Sequence, residues 1–199
     1  MNSFEPAAAH PSDSDADALV RKALEADAQG DPDRAMALLQ RSLAASSINP
    51  LAHYLIGAAH AEAGRHGDAV LHLSTAVEQA PLLAEARLQL GLLWLTLGNP
   101  STGADVLRPL ASLPSESALH HFGIALVAVA EERASDAAQS LRAGIATPCD
   151  NAALVGDMRR LLERVEAAAT LPADLDAELQ AAQHGLAISA YGAGESSGR

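Results

Sequence analysis

Aromatic side chains make up only 3% of this 199-residue sequence, and Cys149 is its single cysteine. One thiol cannot form an internal disulfide, so nothing supports an oxidising compartment. Cationic side chains are also scarce: 13 Lys and Arg stand against 25 Asp and Glu, a formal charge of −12. Such a surface repels phosphate, and no Arg/Lys cluster carries interleaved aromatics, which argues against nucleic acid and anionic membranes as partners. Long apolar runs are missing too. The longest, around Phe122–Ala130, falls short of the roughly 18–20 residues that span a bilayer. The head of the sequence, MNSFEPAAAH, has neither a positive n-region nor an apolar h-region, so it does not read as a signal peptide and a cytoplasmic location is expected.

Catalytic motifs are equally absent. There is no Gly-rich phosphate loop, no G-x-S-x-G, no H-E-x-x-H and no cysteine pair, so neither enzymatic activity nor a cofactor is expected. Cys149, beside Pro148, reads as a structural or incidental thiol. The histidines invite a metal reading, because His53 and His60 share a helix face and His120 and His121 are adjacent. No third and fourth ligand accompanies them in sequence, so packing roles are expected and no metal site.

What the sequence does contain is alanine and leucine, which favour closely packed helices over strands and point to a bacterial source. These residues recur with a fixed period. Ala35, Ala69, Gly103 and Ala137 lie 34 apart, as do Leu39, Leu73, Leu107 and Leu141. Ala23, Gly57, Gly91 and Ala125 form a third column, and Gly30, Gly64 and Gly98 a fourth, with Glu132 in its last place. The physical reading is a repeated pair of helices. Gly64 ends the first helix of its unit in a left-handed C-cap, a second runs from about Asp68 with Val70, Leu73, Ala76 and Val77 on one stripe, and Pro81 closes the unit.

With these columns in place, the sequence resembles the tetratricopeptide repeat (TPR) family. The unit 50–83 carries the pattern best, through Gly57, Ala69, Leu73, Ala76 and Pro81. The resemblance implies an all-α, right-handed TPR superhelix of four repeats at about 16–49, 50–83, 84–117 and 118–151. Capping helices over 150–190 would follow, between a disordered head, 1–14, and a disordered tail, 191–199. There are departures: Lys22-Ala23 stands in the first unit in place of a hydrophobic–Gly pair, Pro109 should shorten or kink the second helix of the third unit, and Glu132 replaces the fourth turn glycine.

In this family the first helix of each unit lines a concave groove. Carried over, that groove receives Val20 and Leu24, with Asp17 and Asp27 at its rim, from the first unit. The second contributes Leu51, Tyr54, Ala58 and Glu62; the third, Glu85, Leu88, Leu92 and Leu95; the fourth, Leu119, Phe122, Leu126 and Val129. The Lys, Asn and Arg that clamp a C-terminal carboxylate in some relatives are missing there. An apolar groove of this kind implies a non-catalytic adaptor or chaperone-like module that binds an apolar helical or extended segment of another protein. The alternative is an assembly subunit whose groove is filled by its own C-terminal helix, about 172–189, or by a homodimer partner.

Overall fold

A computed structural model describes residues 11–170. Those residues form helices and no strand. Four helical hairpins follow one another: α1 (Pro11–Ala28) with α2 (Pro32–Ala45), α3 (Pro50–Glu62) with α4 (His66–Gln79), α5 (Ala84–Thr96) with α6 (Pro100–Leu107), and α7 (Ala118–Ala130) with α8 (Ala134–Ala146). A ninth helix, α9 (Ala152–Thr170), packs on α8. Each helix packs on its neighbours in chain order, and α5 also touches α3 and α7, so the hairpins stack as a solenoid. α1 begins at Pro11, so residues 11–14 of the head expected to be disordered are helical. Proline suits the first helical turn, where its missing N–H is not needed. The expected helix at 172–189 and the tail from 191 lie outside the described residues.

The hairpins close because small residues on one helix sit under leucines on the other. A Cβ on Gly57 would lie 2.8 Å from Leu73 Cγ, and one on Gly91 only 2.3 Å from Leu107 Cγ. Leu73, Leu107 and Leu141 have no exposed surface. The helices also start and stop by local chemistry. Asp31 and Asn49 cap α2 and α3 by accepting from the Arg34 and Ala52 amides, each followed by proline at the first helical position. Asn49 further donates to Ser42 Oγ (3.2 Å), and Ser42 donates to the Ala16 carbonyl (2.9 Å), a buried polar chain that joins the first hairpin to the second. Pro109 acts as expected: α6 stops at Leu107 and the chain continues as a 3-10 turn, Arg108–Ser112.

The four intra-hairpin turns share one geometry. Gly30, Gly64 and Gly98 adopt φ of 76°, 70° and 74°. In each, the next residue's N–H reaches back five residues, as in Arg65 N to His60 O at 2.9 Å. Glu132 was expected to make the fourth unit irregular. Instead it adopts φ 58°, and Arg133 N reaches Ala128 O at 2.8 Å, so the turn is kept in the left-handed region by a residue with a Cβ. That conformation costs an L-residue other than glycine about 1–2 kcal/mol. Glu132→Gly should therefore raise stability by roughly 1 kcal/mol, after the entropy glycine gives back to the unfolded chain. The shift should appear as a higher urea midpoint with an unchanged m-value.

Candidate functional site

The first helices of the hairpins, α1, α3, α5 and α7, were expected to line an open trough. The structure divides their residues into three environments. Leu24 and Leu51 are exposed, at 44% and 40%, and Glu62 and Glu85 are exposed as well. Val20, Tyr54, Ala58, Phe122 and Leu126 are instead buried in the helix packing. Leu88 and Leu92 are buried as well, and Leu95, Leu119 and Val129 are half-buried.

Phe122 shows why the trough does not stay open at its C-terminal end. Its ring lies on Gly144 of α8, where a Cβ would come within 2.4 Å of the ring edge. Leu154, Met158 and Leu161 of α9 join the same apolar cluster as Phe122, Leu126, Leu88 and Leu92. Phe122 and Leu126 therefore build the core and are not free groove surface. Gly144, which weakens its own helix, admits the ring, and α9 joins the same cluster.

A pocket of about 220 Å³ remains where α5, α7 and α9 converge. Leu88 and Leu92 of α5, Leu119 of α7 and Leu154 of α9 give it an apolar lining. Its polar groups come from Glu85 and Gln89 of α5 and from the α8–α9 turn, Cys149, Asp150 and Asn151. Asn151 is committed, accepting from the Leu154 amide at 2.9 Å as the cap of α9. Gln89 is not. It is only 3% exposed, and neither its Oε1 nor its Nε2 has a hydrogen-bond partner among the described residues. No Lys or Arg lines the pocket. The carboxylates continue along the neighbouring hairpins, for partial withdrawal from water and then the charge of Asp27 push the Glu62 carboxyl above its ordinary range.

The sequence reading placed Glu85, Leu88, Leu92 and Leu119 in the groove, and the structure brings these four together. It missed Gln89, Asp150 and Leu154, and it assigned Cys149 no part in a site. Gln89 carried one overlooked signal: a polar residue inside Leu88–Leu93, a stretch otherwise apolar.

The histidines gather elsewhere. His53 and His60 of α3 face His72 of α4, with the His53 and His72 Nδ1 atoms 3.0 Å apart and the His60 and His72 ring centroids 5.5 Å apart. Among the described residues no group of three or more His, Cys, Asp or Glu is arranged to hold a metal ion. Burial lowers the pKa of all three rings; Arg65 adds to this at His60, and the neighbouring histidines add to it at His72. Asp68 opposes the shift at His60 and His72.

These features define an all-α solenoid of helical hairpins with a pocket between α5, α7 and α9. The tetratricopeptide repeat family model matches residues 28–88, and the stacked hairpins have the fold of TPR proteins. No curated protein matches the sequence. Similar solved structures include a MamA RS-1 ArsTM double mutant (15% identity, TM-score 0.59), covering 90% of this chain and 96% of that one. The thermophilic TPR protein TTC0263 from Thermus thermophilus is also similar, at 19% identity and TM-score 0.60, covering 85% of this chain and 98% of that one. MamA residues 41 to the end from Desulfovibrio magneticus RS-1 gives 16% identity and TM-score 0.56, covering 88% and 99%. At these identities the likeness is one of fold. No described helix is long and apolar enough to cross a membrane.

The histidine cluster generates a pH prediction. The ordinary value is 6.5, and each folded ring titrates below it, so between the two the unfolded chain binds protons that the folded chain refuses. The stabilisation is complete above pH 6.5 and is lost as the pH falls through the folded values. The urea midpoint should drop between pH 7.5 and 5.5, and His72→Gln should shrink that drop; an equal drop in the variant would place its origin outside the cluster.

Proposed function

We propose that the chain is a non-catalytic interaction module whose concave face takes an apolar segment of another protein, anchored in the pocket between α5, α7 and α9. TPR proteins bind other proteins, and the fold supports that general role. The observation that supports the finer reading is the pocket itself, an apolar cavity of about 220 Å³ opening on the face that the repeat register assigns to partners. An engineered apolar cavity of about 150 Å³ is large enough for benzene, so this one has room for a branched aliphatic anchor. Burying one leucine contributes about 1.5–3 kcal/mol before the costs of association. Leu24 and Leu51, exposed on the first two hairpins, extend the apolar surface towards the N-terminal end. The cytoplasm is the proposed setting, consistent with the single cysteine.

Fluorescence anisotropy with a panel of labelled, leucine-anchored peptides tests this reading on the full chain. At least one peptide should bind saturably. Leu119→Glu, which puts a charge on the half-buried wall of the pocket, should weaken it more than tenfold while far-UV circular dichroism stays unchanged. Unchanged binding in a folded Leu119→Glu variant would move the site elsewhere. Absence of binding by any peptide in the wild type would remove the proposal.

A further inference from the structure

The second hairpin carries three histidines that its fold does not require. We infer that His53 of α3 and His72 of α4 form a chelating pair for a divalent first-row transition-metal ion, which clips the two helices of this hairpin together. Both rings bind through Nδ1, and water completes the coordination sphere. The site is separate from the apolar pocket and does not depend on it.

The repeat register supplies the comparison. The places of His53, His60 and His72 are taken by Leu19, Ala26 and Leu38 in the first hairpin. In the third they are taken by Arg87, Trp94 and Val106, and Arg87 spans the gap by donating to the Val106 carbonyl at 3.2 Å. Apolar contact serves in one hairpin and a single cation in another, yet both hairpins close. Histidine at these places is therefore a choice of the second hairpin alone, and packing does not account for it.

The nitrogens stand at the spacing one ion requires. The His53 and His72 Nδ1 atoms are 3.0 Å apart. Two imidazole nitrogens on one ion, each bonded at about 2.0–2.1 Å, lie about 2.8–3.4 Å apart for angles between a right angle and the tetrahedral one. A hydrogen bond between neutral rings spans the same distance, one Nδ1–H donating to the other Nδ1. Ligation replaces that hydrogen. The ring that carries it shifts it to Nε2, so both rings stay neutral and each offers a lone pair at Nδ1.

The surroundings suit a bound ion. A hydrogen bond with the Ser47 backbone holds His53, the kind of outer contact that orients a ligating imidazole. Both rings are half-buried, so an ion reaches them from solution, and burial already favours their neutral form. His60 completes the cluster, with its ring centroid 5.5 Å from that of His72 and a buried Nδ1 that has no partner among the described residues. Asp68 brings negative charge to His60 and His72, and Arg65 opposes it at His60. No group of three among the described residues is arranged to hold a metal ion, so the protein's share is two nitrogens. Imidazole ligands of this kind suit zinc, nickel and copper, whereas magnesium and calcium take oxygen.

Zinc is the probe, added at pH 7.5 to the full chain after dialysis against a chelator. Calorimetry should show saturable binding, and long-range proton–nitrogen spectra should show the Nδ1 signals of His53 and His72 moving while their Nε2 atoms keep hydrogen. The melting temperature should rise with zinc and not with magnesium, because the site exists only in the folded hairpin. His53→Gln and His72→Gln should each weaken binding by more than about tenfold, and His66→Gln should not. The double change His53→Arg with His72→Val copies the third hairpin, so it should fold and fail to bind. Absence of binding by the wild type would leave the pair a hydrogen bond only and remove the inference. Undiminished binding by the folded double variant would place the ion on other histidines, His10 or His184 among them, and remove it equally. Movement of the Nε2 signals in place of Nδ1 would overturn the ligand assignment.

Discussion

The whole solenoid rests on how closely two helices of one hairpin can approach. Gly57 under Leu73 and Gly91 under Leu107 leave no room for a Cβ, and both leucines are fully buried. The same column holds Ala23 and Ala125 in the first and fourth hairpins, so a small residue recurs at 34-residue intervals opposite a leucine. Glycine inside a helix costs roughly 1 kcal/mol against alanine, and the close packing of leucine offsets it. The turns then follow. A hairpin that closes this tightly needs a left-handed residue between its helices, which Gly30, Gly64 and Gly98 supply and Glu132 is held in.

The fourth hairpin keeps the geometry with different residues. Ala125 replaces glycine in the small column, while Gly123 approaches Leu110 of the 3-10 turn and Gly144 admits the ring of Phe122. Space removed at one contact is opened at two others. Phe122 consequently turns into the core, and α9 supplies Leu154, Met158 and Leu161 to the same cluster. Leu24 and Leu51 stay exposed on the first two hairpins, and a pocket lies where the third hairpin, the fourth and α9 meet. Surface ion pairs such as Arg142 with Glu166, which links α8 to α9, contribute little beside this apolar contact.

The hairpins were legible because their signals are local and repeated. Helix period, turn glycine and closing proline each occupy a few consecutive residues, and the 34-residue spacing averages over their exceptions. Even Pro109 could be read, since the loss of an N–H acts on its own helix. The site was legible only by half. Glu85, Leu88, Leu92 and Leu119 fall at groove positions in the register, and those are the pocket residues that it found. Burial of Phe122 was hidden because it depends on Gly144, 22 residues on, and on a helix outside the repeat. Gln89, Cys149 and Asp150 were hidden for the same reason. Their meaning comes from elements that meet only when the third hairpin, the fourth and α9 are stacked, and no periodicity within one helix reports that meeting.

The coincidence of two unfavourable features argues that the pocket is more than a packing fault. An amide buried without partners costs about 1–3 kcal/mol. A cavity of about 220 Å³, if closed and dry, would cost about 5 kcal/mol at the usual price per unit volume; an opening to solvent lowers that figure. Either could be relieved by one substitution, a leucine at position 89 or a larger side chain at 119. The chain fills comparable space elsewhere with leucine, as Leu73, Leu107 and Leu141 show. Sequences that agree with their fold at every other level tend to depart from it where they do work. Here both departures, a missing apolar side chain and an amide without partners among the described residues, fall on residues of one pocket.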